Sequence, residues 1–228
     1  MTTKGAIINE QYDLSGRRYY KSNAWLFPSI TSILDSQPEK QEGLQRWKDY
    51  LLNTYSEDEA LQIMQAESEY GRERGTAVHE LVMNYLIEGR EPFDMEDTPE
   101  VLFFQMQDEL DKIKYDLDNP AHRCEEIVYS EKLGVAGRMD YIAEYDGVLS
   151  VIDIKTSKKL KPKREREAWF LQCCFYALAN CATNGDYIEN LVIINAREDN
   201  KTSVYQGNIF DYLEPLQEAI NYFKENEE

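Results

Sequence analysis

The chain has 228 residues, 42% of them hydrophobic, enough for one large domain or two small ones. Acids outnumber bases 43 to 25, a formal net charge of −18. Taken alone, that argues against nucleic acid as a partner, because phosphate binding needs cations. No apolar run approaches the ~20 residues that span a bilayer. The opening MTTKGAIINEQYDLSGRRYY lacks both the apolar segment of a secretion signal and the pattern of a transit peptide. The expectation is a soluble protein of a bacterial or phage-infected cytoplasm.

Residues 5–27 predict a short β-hairpin turning over 14–17, which Pro28 ends. SITSILDSQ opens a helical section, followed by GLQRWKDYLLNTY and SEDEALQIMQAESEYGRERG as helices. In GTAVHELVMNYLIEG, Val78, Leu81, Val82, Tyr85 and Leu86 recur at helical spacing, and Gly89 lies past the end. Residues 100–117 predict another amphipathic helix. EEIVYSEKL, GRMDYIAEY and GVLSVIDIK then read as strands, 167–182 as a helix, NLVIINAR and TSVYQGNIF as strands, and FDYLEPLQEAINYFKEN as a closing helix. Helices first, then a sheet crossed by a helix, predict one α/β domain over 1–228, mainly helical over 28–117 and with a sheet core over 121–210. Cys124, Cys173, Cys174 and Cys181 fit no zinc spacing and read as free thiols.

The stretch GVAGRMDYIAEYDGVLSVIDIKTSKK carries the chemistry. Asp146-Gly147 is a strong two-residue turn, since both tolerate the positive φ of a type I′ turn. With that turn, paired residue numbers sum to 293, so Asp140 falls opposite Asp153 on one face. Lys155, two residues on, shares the face. Opposed carboxylates repel unless a cation lies between them. Mg²⁺ and Mn²⁺ favour carboxylate and carbonyl oxygens, and a lysine beside such an ion can orient water or stabilise charge on a phosphate. A bare D-x-K is ordinarily a salt bridge at a sheet end; the register is what raises it above that.

Directly after the hairpin, KTSKKLKPKRER holds seven Lys or Arg and one Glu. Thr156, Lys158, Lys159, Lys161, Lys163, Arg164 and Arg166 form a basic strip on an acidic body, suited to guiding an anionic polymer to one place. Arg72 and Arg74, just before the GTAVHE helix, are further candidates for phosphate contact. Gln172 and Tyr176 are i, i+4 on one helix and share a face.

The ordered set RGTAVHE (74–80), GRMD (137–140), DIKT (153–156) and Q-x-x-x-Y (172–176) resembles the PD-(D/E)XK nucleases of the RecB-like type. The likeness is closer to the mitochondrial genome maintenance exonuclease and its phage and bacterial relatives. It extends over PSITSIL, the RWK at 46–48, and NLVIINAR, most of 28–197. The resemblance implies a restriction-endonuclease-like core with a mixed central sheet flanked by helices. It implies Asp140 and Asp153 as metal-binding acids, the Ile154 carbonyl as a further ligand, Lys155 as the catalytic lysine, and His79 as a ligand or phosphate contact. Gln172 and Tyr176 would hold DNA near the site. The acid on the preceding strand is Glu125 by spacing, with Glu126 beside it as the alternative. Some RecB-like relatives hold an iron–sulfur cluster with C-terminal cysteines; this chain has none in its tail, so no cluster is expected.

Together these features predict a Mg²⁺- or Mn²⁺-dependent DNA nuclease, with exonuclease action on single strands or ends favoured. The rivals are a non-catalytic DNA-binding or recombination accessory protein, which has no need of Asp140, Asp153 and Lys155 together, and an acidic DNA mimic, which has no need of the basic strip. A basic protein partner for the acidic surface is a further expectation.

Overall fold

A three-stranded antiparallel sheet opens the chain: β1 (Glu10–Leu14), β2 (Arg17–Lys21) and β3 (Leu26–Pro28). The structure is a computed structural model that describes residues 10–14, 16–21 and 25–226; the part of the expected hairpin at 5–9 lies outside them. The first turn passes through Gly16 at φ 77°, a left-handed value that costs glycine nothing. Pro28 closes β3, and Ser29 caps α1 (Ile30–Asp35) by accepting from Ser32 N–H at 3.0 Å.

α2 (Pro38–Leu52) precedes α3 (Glu57–Glu88), whose start is a capping box of Ser56 and Glu59 and whose end is Gly89 at φ 64°. The sequence pattern suggests two helices here; the structure has one of 32 residues, running through Gly71 and Gly75. Each glycine costs a helix about 1 kcal/mol. Burial of Val78 and Val82 against the sheet, at ~1.5–3 kcal/mol per aliphatic side chain, outweighs it. α4 (Thr98–Leu110) is shorter than the expected 100–117, because Ile113 and Lys114 leave it to pair with the sheet as β4 (Ile113–Lys114).

Two expected strands are altered. EEIVYSEKL contributes only β6 (Ile127–Ser130); an unexpected short strand, β5 (Arg123–Cys124), precedes it, separated by Glu125 at φ 51°. GRMDYIAEY splits at Met139-Asp140. Its first part, with the preceding residues, forms β7 (Val135–Arg138), which pairs with β6 in a ladder of its own and bridges Ser29 at Ala136; its second is β8 (Tyr141–Tyr145) of the main sheet. β9 (Val148–Ser157), α5 (Lys163–Asn184), β10 (Asn190–Arg197), β11 (Lys201–Asn208), a 3₁₀ turn and α6 (Leu213–Asn226) complete the chain.

The main sheet runs β11-β10-β9-β8-β4, with β5 also on β8. β9 and β10 are parallel through the α5 crossover and the other pairs are antiparallel, so the sheet is mixed. Alternation along β9 and β10 sends Val151, Leu191 and Ile193 toward Phe175 of α5 and Phe223 of α6. It sends Ile152, Ile154, Val192 and Ile194 toward Val78 of α3 and Met106 of α4. Helices thus cover both faces, the expected α/β class. Among the described residues, no helix is long and apolar enough to cross a membrane.

Candidate active site

β9 lies centrally, and period-two alternation turns its Asp153 and Lys155 to the α5 face, the side of Val151. The Asp146-Gly147 turn has φ of 51° and 81°, as a type I′ turn requires. The register runs from Tyr145↔Val148 to Tyr141↔Ile152 and stops one pair short of Asp140 and Asp153. Asp140 instead occupies the crossing between the two sheets. Beyond the last ladder pair, the Ile154 N–H donates to Asp140 Oδ2 at 2.8 Å. The carboxylate takes the place of the strand acceptor that β8 no longer offers.

His79 reaches the same point from α3. Its Nε2 is 2.9 Å from the Ile154 carbonyl, and its Nδ1 is 3.5 Å from Glu125 Oε1 and 3.6 Å from Asp140 Oδ1. Ligand atoms of His79, Glu125 and Asp140 all lie within 4.8 Å of one another. Burial disfavours a charge on His79, but Asp140 and Glu125 outweigh it and push its pKa up to about 9. Burial raises Asp140 to about 6 against the pull of His79.

Glu125, not Glu126, faces this site. The left-handed turn at Glu125 ends the β5 pairing and swings its side chain toward His79, while Glu126 pairs outward with Arg123 at 3.4 Å. Asp153 stands outside the His79–Glu125–Asp140 triangle. It is fully buried and ion-paired with Lys155 Nζ at 2.7 Å. Its other oxygen, Oδ1, is buried without a hydrogen-bond partner. Burial opposes the Lys155 charge, yet Asp153 and Asp140 outweigh it and hold the ammonium above its usual pKa. Lys155 donates to Gln172 Oε1 at 3.1 Å, and Gln172 Nε2 donates to the Tyr176 hydroxyl at 2.8 Å. A clustered set of carboxylates, imidazole and peptide carbonyl, beside a buried carboxylate with one unpartnered oxygen, suits a hard divalent cation.

His79, Glu125, Asp140, Lys155, Gln172 and Tyr176 line one cleft of about 490 Å³, whose other walls include Arg18, Thr76 and Arg138; Asp153 and Ile154 lie buried behind it. Gly137 acquires a role that the motif spacing alone does not reveal. A Cβ there would lie 2.8 Å from Tyr176 Cε1 and 3.0 Å from Ile30 Cγ2, so only glycine lets the tyrosine close over this strand. The signal available in the sequence is the glycine three residues before Asp140.

The basic residues are placed differently. Arg74 is buried, donates to Thr156 Oγ1 at 3.1 Å and pairs with Glu198, tying α3 to the end of β9. Arg72 pairs with Glu69 at 3.7 Å, Lys158 with Glu67 at 2.6 Å, and Lys161 with Glu165 at 2.9 Å. Lys159 is exposed. α5 begins at Lys163, so Lys163, Arg164 and Arg166 belong to its first turns rather than to a loop. The four cysteines are free thiols; Cys173 and Cys174 are buried on α5.

A sheet with a buried D-x-K on its central strand, an acid at the sheet crossing and a histidine from the covering helix defines a nuclease-type site. The chain belongs to the PD-(D/E)XK nuclease superfamily, which it matches over residues 46–221. Among solved structures it is similar to a protein from Eubacterium rectale provisionally named an exonuclease, at 15% identity and a TM-score of 0.40, covering 67% of this chain and 64% of that one. It therefore spans somewhat less than two thirds of that protein's length. No curated protein matches.

Proposed function

We propose that the chain is a divalent-metal-dependent deoxyribonuclease that removes nucleotides from DNA ends, single strands foremost. The observation that carries this reading is the meeting of His79, Glu125 and Asp140 with the buried Asp153–Lys155 pair at one cleft. His79, Glu125, Asp140, Asp153 and the Ile154 carbonyl would hold Mg²⁺ or Mn²⁺. Bound there, such an ion supplies charge neutralisation at the phosphate and a more acidic water.

The protein's own contribution centres on Lys155. Its ammonium, kept charged by Asp153 and Asp140, can donate to an attacking water or to the negative charge that grows on the phosphoryl oxygens. Gln172 holds the lysine and Tyr176 holds Gln172, so the donor is oriented before DNA arrives. Direct attack by water needs no covalent intermediate. Support for ends and single strands comes from the likeness of the RGTAVHE, GRMD, DIKT and Q-x-x-x-Y set to the mitochondrial genome maintenance exonuclease.

The test uses end-labelled single- and double-stranded DNA, linear and circular, with Mg²⁺, Mn²⁺ or EDTA, beside Lys155→Ala. The expected result is metal-dependent loss of linear single strands, intact circles, and a rate reduced at least ~10²-fold in the variant, the scale of losing one transition-state donor. Cut circles would make it an endonuclease. DNA binding with no cleavage in either metal would leave a non-catalytic DNA-binding protein.

A further inference from the structure

The arginines of the molecule divide by what their guanidinium groups touch. Arg46, Arg72, Arg74, Arg90, Arg123 and Arg197 pair with carboxylates. Arg164 donates to the Glu39 carbonyl, while Arg17 and Arg166 lie over aromatic rings. Arg18 and Arg138 remain. Among the described residues neither guanidinium has an ion-pair, hydrogen-bond or ring partner; Arg18 feels only the more distant field of Asp35. Both are exposed, and both line the cleft that holds His79, Asp140 and Lys155.

Their backbones are fixed. Arg18 N–H donates to Ser32 Oγ at 2.8 Å and its carbonyl accepts from Ser29 N–H at 2.8 Å, which anchors β2 to the start of α1. Arg138 closes the β6–β7 ladder opposite Ile127, two residues before Asp140. β2 and β7 pack against one another, so the two guanidinium groups rise from neighbouring strands at one cleft. With the backbones fixed, an anionic strand that binds here need order only the two side chains.

We propose that Arg18 and Arg138 are the principal phosphate contacts that seat a single DNA strand in the cleft. This rests on the nuclease reading above. The basic strip is the obvious rival, but Lys158 and Lys161 already face Glu67 and Glu165 and must exchange those partners for phosphate. Arg18 and Arg138 exchange only water. The planar guanidinium also donates to two phosphate oxygens at once in a fixed fork, which an ammonium does not.

The experiment is anisotropy of a fluorescent single-stranded oligonucleotide, titrated in EDTA across a salt series. It uses the full chain, Arg18→Ala, Arg138→Ala, the double alanine variant, the charge-keeping double variant Arg18→Lys with Arg138→Lys, and Lys114→Ala as an exposed control outside the cleft. Each phosphate contact on a single strand contributes about −0.7 to the slope of log K against log salt. Each alanine substitution should therefore flatten the slope by about 0.7, and the pair by about 1.4, while the Lys pair and the control keep it. Melting temperatures should not move, since both side chains are exposed. An unchanged slope in the double alanine variant, with the parent binding and cutting, overturns the proposal and leaves the nuclease reading intact. A flattened slope in a protein that never cuts upholds the contacts and sinks the nuclease reading. A parent that shows no salt-dependent binding overturns the proposal whether or not it cuts.

Discussion

Glu125 is the one carboxylate of the cluster that its own backbone penalises. At φ 51° a non-glycine side chain crowds the following carbonyl, at a cost of about 1–2 kcal/mol. The same residue adds negative charge beside Asp140. Stability and function therefore pull in opposite directions here. Glu125→Asn should relieve both, at the loss of the 3.5 Å contact to His79: asparagine tolerates the left-handed region, and the negative charge goes. The expected outcome is a melting temperature raised by roughly 2–4 °C, about 1 kcal/mol in a chain of this length, together with nuclease activity reduced at least tenfold. Calorimetry and the end-labelled assay read the two effects separately. A variant that melts lower would mean that the His79 contact stabilises the turn by more than the turn costs.

Elements, rather than single residues, decide how these groups meet. The hairpin register was legible because it is local: the Asp146-Gly147 turn sets it, and alternation then sends Asp153 and Lys155 to the α5 face. The histidine helix and the Gln172–Tyr176 pair follow from helical spacing in the same way. What local pattern could not supply was the change of sheet at Met139-Asp140 and the break at Glu125, since both depend on which distant strand offers hydrogen bonds. Nor could it find partners for Lys158 and Arg74, because Glu67 and Glu198 lie far from them in sequence. Gly137 joins the two kinds of information, being spaced from Asp140 by the motif but required by the fold. Gly137→Ala should push Tyr176 off β7, disturbing Gln172 and through it Lys155. Overpacking of this kind costs about 1–3 kcal/mol. Chemical denaturation should show that loss, and kcat should fall more than KM rises. Full stability with full activity would show that β7 can shift to admit the methyl group.

At the scale of the whole molecule, a net charge of −18 opposes both folding and DNA binding, but salt acts on the two with opposite sign. Like charges repel one another in the compact state, and salt weakens that repulsion as the Debye length falls from ~30 Å at 10 mM to ~10 Å at 100 mM. Salt also weakens the favourable surface pairs, such as Lys158–Glu67, Lys161–Glu165 and Lys163–Glu167. Exposed pairs of that kind contribute only about 0–1 kcal/mol each and are short-ranged. The excess of acids acts over the whole surface, so its relief should win. The melting temperature should rise between 10 and ~100 mM monovalent salt, where the screening length contracts most. Over the same range the affinity for single-stranded DNA should fall, because counterions released from the phosphates oppose binding. Differential scanning fluorimetry and anisotropy in matched buffers would read both. A melting temperature that falls with salt would mean the paired charges, not the unpaired acids, dominate the electrostatics of the fold. The basic strip would then be a structural clasp between α3, β9 and α5 rather than a reserve of charge for DNA.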